Sequence, residues 1–123
     1  MKINFVNVDH VQLTIPKGVE DRARKFYGGV LGLEEIEKPD SLKASGGVWF
    51  KIAEAEIHLG VEENSSVTKA HPAFTVQNIN AVKVHLIQNG IDVKEETPIP
   101  GRKRFSFRDP FGNRIEFLEY TGA

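Results

Sequence analysis

Three imidazoles and one carboxylate stand where they could act together: His10, His58, His71 and Glu116. Imidazole nitrogen and carboxylate oxygen suit Zn, Ni, Co, Mn or Fe(II), and donor type alone does not choose among these divalent ions. The chain has no Cys, which removes thiolate ligands, disulfides and cysteine nucleophiles together. Two His and one carboxylate with open positions describe a site that binds and activates a small molecule, unlike a closed structural zinc. Any one His on a strand is more often a satisfied polar residue than a ligand. The joint placement of three of the four His shifts that balance, and His85, between Val84 and Leu86 with no counterpart, is assigned to surface or side packing.

The elements that must position these residues follow from apolar spacing. From Asp9 to Ile15, His10, Gln12 and Thr14 alternate with Val11, Leu13 and Ile15, which puts the two sets on opposite faces of a strand. Val19, Ala23, Phe26, Tyr27 and Val30 have helical spacing, with Gly32 as a stop. Leu33 to Glu37, Val48 to Ile52 and Glu56 to Val61 read as three strands, the last two joined at Ala53-Glu54-Ala55. Pro39 to Ser41 reads as punctuation.

The order then repeats. His71 to Val76 reads as a strand whose Pro72 suggests an edge or an irregular entry. Asn78 is placed to cap a helix with buried positions Ile79, Val82 and Leu86, closed by Asn89-Gly90. Ile91 to Val93 starts another strand. Arg104 to Phe107 and Arg114 to Glu119 pair across Asp109-Pro110-Phe111-Gly112-Asn113, a strong turn signal. H-V-Q-L-T-I matches H-P-A-F-T-V in pattern, and E-I-H-L matches R-I-E-F. His10 precedes His58 by 48 positions and His71 precedes Glu116 by 45, so the four chemical residues correspond across the repeat.

The expected fold class is α+β: one domain over 1–123 built of two βαβββ modules, about 5–61 and 70–120, with a linker at 62–69. Module size and the linker suggest a homodimer. A length of 123 residues with 40% hydrophobic and 27% charged residues matches an ordinary globular chain and excludes disorder. Sixteen basic and 17 acidic residues give a charge of -1, with no long-range pull toward nucleic acid or an anionic membrane. No apolar run reaches the roughly 20 residues of a bilayer span, and Asn7 and Asp9 interrupt any export signal. The expected location is the cytoplasm.

Residues 101–108 hold four cations, Arg102, Lys103, Arg104 and Arg108. Alternation sends Arg102, Arg104, Ser106 and Arg108 to one face. Arg104 is the candidate grip on an anionic substrate group, while Lys103 and Arg108 read better as charges that protect an edge. No phosphate-loop glycines, nucleophile elbow or recognition helix accompanies the cluster.

The motifs F-Y-G-G-V-L-G-L and D-P-F-G-N-R-I-E, together with the repeat, resemble the vicinal oxygen chelate superfamily. That superfamily includes glyoxalase I, fosfomycin and bleomycin resistance proteins and extradiol dioxygenases. The resemblance implies two βαβββ modules in an open curved sheet around a metal. It implies His10, His71 and Glu116 as ligands to one divalent ion, and His58 as a fourth ligand or as a proton-transfer residue. His58 stands where glyoxalase I normally has Glu, and Gln12 and Ser106 stand where fosfomycin resistance enzymes have Thr and Tyr. Gln12, Arg104 and Ser106 are then the candidate substrate contacts. The expected function is a metal-dependent lyase, isomerase, thiol transferase or ring-cleaving dioxygenase acting on a small oxygen-bearing substrate. The alternative is a noncatalytic protein of the same fold that binds an antibiotic or metabolite.

Overall fold

The computed structural model describes residues 1–63 and 68–122. Residues 64–67, half of the expected linker, lie outside the described residues. The chain divides into two units, 1–65 and 66–123.

The first unit runs β1 (His10–Ile15), α1 (Glu20–Ala23), β2 (Glu34–Ile36), β3 (Val48–Ile52) and β4 (Ala55–Val61). Its mixed sheet has the order β1-β4-β3-β2, with β1 parallel to β4 and the other pairs antiparallel. Val11, Leu13 and Ile15 share a face as period two requires, and Ile15, Phe50, Ile57 and Leu59 lie in the core. Burying each such side chain contributes roughly 1.5–3 kcal/mol.

Helix α1 continues as a π-helical segment, Arg24–Val30, whose widened turn is closed by Leu31 N–H donating to the Phe26 carbonyl at 2.9 Å. The wider turn buries the adjacent Phe26 and Tyr27 together, and Tyr27 stacks on Phe50. A 3₁₀ segment, Asp40–Ser45, occupies the stretch read as punctuation; so short a helix shows no apolar period. Gly47 follows at φ +88°, where a Cβ would meet the Leu59 carbonyl oxygen at 2.1 Å, so glycine is required there.

The second unit repeats the plan as β5 (Ala73–Thr75), α2 (Ile79–Gln88), β6 (Lys94–Glu95), β7 (Arg102–Arg108) and β8 (Arg114–Tyr120). Its order is β5-β8-β7-β6, again with the first strand parallel to the last. The α+β class and both βαβββ layouts are as expected from sequence. Pro72 precedes an edge strand, and its carbonyl accepts the Glu116 N–H at 3.0 Å.

Three local expectations are corrected. Asn78 sits in the left-handed region at φ +56° and makes no side-chain cap. Glu119 of β8 caps α2 instead, its two oxygens accepting the N–H groups of Asn78 at 2.9 Å and Ile79 at 3.0 Å. The strand expected from Ile91 begins at Lys94, because Ile91 N–H closes the helix end on the Leu86 carbonyl. His71 lies just outside β5, ahead of Ala73. The Asp109 turn holds as expected, the buried carboxylate accepting N–H bonds from Phe111 and Asn113.

Ala53, the first residue of the two-residue turn between β3 and β4, has φ +49°. A left-handed residue with a Cβ costs roughly 1–2 kcal/mol, part of which glycine loses again through unfolded-state entropy. Ala53→Gly is therefore expected to raise stability by about 0.5–1 kcal/mol, measured by urea denaturation.

The two backbone N–H groups on Glu119 hold its carboxyl below the ordinary carboxylate range. A lowered folded pKa stabilises the fold above the unfolded value, and that stabilisation fades as pH falls through the folded one. Glu119→Gln should lower the melting temperature at neutral pH, and the gap to the unaltered protein should close in acid.

Candidate functional site

Strand alternation gathers one polar face in the first unit. Gln12 on β1, His58 on β4 and Trp49 on β3 lie side by side across the sheet, and His10 pairs with Glu56 one step along. The rings form a continuous stack. Trp49 and His58 have centroids 3.6 Å apart with planes at 3°, and His10 lies 4.0 Å beyond His58 with planes at 14°. His58 is buried in the middle, while His10 keeps an exposed side. Gln12 folds over β4, where a Cβ on Gly60 would meet its Nε2 at 1.9 Å; glycine is what lets Gln12 lie there.

Two carboxylates serve the imidazoles. Asp9 Oδ2 is 2.8 Å from His10 Nδ1, and Glu56 Oε1 is 2.8 Å from His58 Nε2. An ionised carboxylate only accepts, so the proton lies on the imidazole nitrogen in each pair. His10 thus carries its lone pair on Nε2, the arrangement by which a carboxylate orients a metal-binding histidine.

The second unit brings together His71, Glu116 and Arg104. His71 Nδ1 is 2.8 Å from the Lys69 carbonyl, which can only accept, so its lone pair is on Nε2 as well. That Nε2 stands 3.4 Å from Oε1 of the buried Glu116. Two ligands bound to one tetrahedral ion at about 2.0–2.2 Å stand about 3.3–3.6 Å apart, so donor type and spacing both fit a divalent ion. Among the described residues no group of three His, Asp or Glu side chains gathers closely enough to hold a metal. The structure thus shows His71 paired with Glu116 in one unit and His10 stacked on His58 in the other.

Arg104 donates from Nη1 to the same Glu116 oxygen at 3.0 Å and from Nε and Nη2 to the Thr97 carbonyl. Ser106, opposite Glu116 on β7, donates its hydroxyl to Glu96 at 2.5 Å, and Arg114 donates to the same oxygen at 2.8 Å. The Ser106 hydroxyl, then Arg114, hold the Glu96 carboxyl below the ordinary range. Ser106 and Arg114 also line a cleft of about 610 Å³, with Lys69, Lys94 and Arg108 adding positive charge to its wall. Sequence reasoning missed Glu96, Trp49 and Glu56. For Glu56 a signal existed, since it lies two residues before His58 on the same strand face.

A family model described as Glyoxalase/Bleomycin resistance protein/Dioxygenase superfamily matches residues 7–117, and the chain belongs to this superfamily. Members often use divalent metals, and the superfamily holds enzymes and noncatalytic proteins alike. A crystal structure of a glyoxalase family protein from Bacillus anthracis is 49% identical, with a TM-score of 0.93 over 98% of this chain and all of that one. Lactoylglutathione lyase from Agrobacterium tumefaciens is 23% identical, with a TM-score of 0.73 over 92% of each chain. The antibiotic binding protein TnmS3 from Streptomyces sp. CB03234 is 17% identical, with a TM-score of 0.74 over 98% of this chain and all of that one. At these last two identities the likeness is one of fold. No curated protein sequence matched. No helix among the described residues is long and apolar enough to cross a membrane.

Removing one partner of a buried ion pair leaves the other charge uncompensated, a cost of about 3–5 kcal/mol when burial is complete. Arg104 is less than fully buried and keeps the Thr97 carbonyl. Glu116→Ala in metal-free protein is therefore expected to lose about 2–3 kcal/mol in denaturant titration.

Proposed function

We propose that the protein is a metal-dependent enzyme of its superfamily, acting on a small oxygen-bearing substrate. The observation that carries this reading is the His71–Glu116 pair: an imidazole with its proton tied to a carbonyl, and its other nitrogen 3.4 Å from a buried carboxylate oxygen. On the superfamily likeness His10, with its Nδ1 held by Asp9, is the proposed third ligand. A divalent ion held there would act as a Lewis acid toward a substrate oxygen and stabilise negative charge developing on it.

His58 takes the role of proton acceptor, its ring held between Trp49 and His10. Arg104 sets the orientation of Glu116 and closes one side of the carboxylate. Gln12 and Ser106 are substrate contacts on the two sheet faces. The cations lining the cleft, Lys69, Lys94, Arg108 and Arg114, outnumber its acids, Asp92 and Asp109, and favour an anionic group on the substrate. The protein works as a homodimer in the cytoplasm, with no nucleic-acid or membrane partner.

A second reading, a noncatalytic binder of an antibiotic or metabolite, is favoured by one observation. Arg104 already neutralises Glu116, so the carboxylate is satisfied without an ion.

Elemental analysis of protein purified without chelator or a metal-affinity tag separates the two. The enzyme reading expects stoichiometric divalent metal, lost in Glu116→Ala. Turnover should fall by about 10²–10⁴ in His58→Ala while ligand binding persists, the range for a general base. Catechols in an oxygen electrode, thiol hemithioacetals and epoxides with thiols form the substrate panel. Metal-free protein that holds a bulky ligand tightly and turns over none of these would establish the binder instead.

A further inference from the structure

The ring stack of the first unit settles more than the position of His58. A metal–imidazole bond lies in the ring plane, along the nitrogen lone pair. His10 and His58 have planes only 14° apart and centroids 4.0 Å apart, so their lone pairs run in nearly parallel sheets. An ion in the plane of His10 would stand roughly 3–4 Å out of the plane of His58, against a bond of about 2.0–2.1 Å. The two rings therefore do not converge on one ion in this arrangement.

The distal nitrogen of His58 is also engaged. Its Nε2 is 2.8 Å from Glu56 Oε1, and Glu56 is anchored on the same face two residues earlier on β4. Trp49 covers the other ring face at 3.6 Å with planes at 3°, which bars the ring from tilting toward a ligand position. Burial of His58 makes this hydrogen bond costly to break, since the Nε2–H has little water to turn to.

We propose that His58 lies outside the metal coordination sphere, and that Glu56 is the positioning residue that fixes it as the Nε2–H tautomer with its lone pair on Nδ1. This rests on the enzyme reading only in supposing an ion at His10; the tautomer and its bond to Glu56 belong to the metal-free chain. The site thereby has two carboxylate–imidazole pairs with opposite tautomers. Asp9 leaves His10 the distal nitrogen, suited to reaching an ion, and Glu56 leaves His58 the proximal one.

The test uses ¹⁵N-histidine-labelled, metal-free protein, with His58 resonances assigned by their loss in His58→Gln. The expected result is a protonated Nε2 with a slowly exchanging, downfield proton and an unprotonated Nδ1. That proton should exchange too fast to observe in Glu56→Ala and return in Glu56→Gln, whose amide oxygen can still accept it. An Nδ1–H tautomer, or a proton unaffected by Glu56→Ala, would overturn the proposal, and the unaltered protein alone is enough to reveal the first. In parallel, Co²⁺ titration followed by its visible spectrum should give His58→Gln an affinity within tenfold of the unaltered protein. His10→Gln should lose at least a hundredfold. Equal, large losses in both variants would make His58 a ligand and end the proposal. Co²⁺ binding that no longer depends on His10, His71 or Glu116 would instead defeat the enzyme reading, with the ¹⁵N result still standing by itself.

Discussion

Side chains on a strand alternate between faces, so a slip of one residue between the first and last strands of either unit would take apart the whole polar face. Parallel pairing of β1 with β4 and of β5 with β8 therefore governs the site. Gln12 lies opposite His58 and Ala73 opposite Glu116, so the histidine two residues earlier in each unit takes the same place relative to its last-strand partner. One arrangement yields stacked rings and the other an imidazole facing a carboxylate. The core holds the register: Ile15, Ile57 and Leu59 in one unit, and Phe107, Ile115 and Phe117 in the other, are the residues a slip would expose.

Both polar faces carry their own internal compensation. Glu116 is bonded to Arg104, Glu96 to Ser106 and Arg114, Glu56 to His58, and Asp9 to His10. Such pairing lets Glu116 and Glu96 be withdrawn from water without an ion present, while Glu56 stays half-buried and Asp9 exposed. It also fixes tautomers. A histidine whose Nδ1 proton is held by Asp9 or by the Lys69 carbonyl has one nitrogen left to offer, and its direction is set before any ligand arrives.

The fold was legible because the repeat doubles every signal: alternation in H-V-Q-L-T-I and H-P-A-F-T-V, helical spacing after each, and a turn at Asp109-Pro110 with few alternatives. What stayed hidden was set by contacts distant in sequence or by irregular geometry. Glu119 reaches α2 from 40 residues away and displaces the local cap expected of Asn78. The π-helical turn that buries Phe26 beside Tyr27 looks like ordinary helix in the apolar pattern. At the site, residue type and spacing singled out the four chemical positions, and the structure pairs His71 with Glu116 and His10 with His58. The carboxylates that orient the histidines were not read, because Asp9 and Glu56 look like surface charge until the fold sets them beside His10 and His58.

The central claim is that the His71–Glu116 pair is part of a divalent-metal site. Anomalous diffraction from crystals soaked in Co²⁺ or Zn²⁺ addresses it most directly. One strong peak is expected within bonding distance of His71 Nε2 and a Glu116 carboxylate oxygen. A full-occupancy peak elsewhere, or none at His71 and Glu116 while Arg104 keeps its bond to the carboxylate, would contradict it.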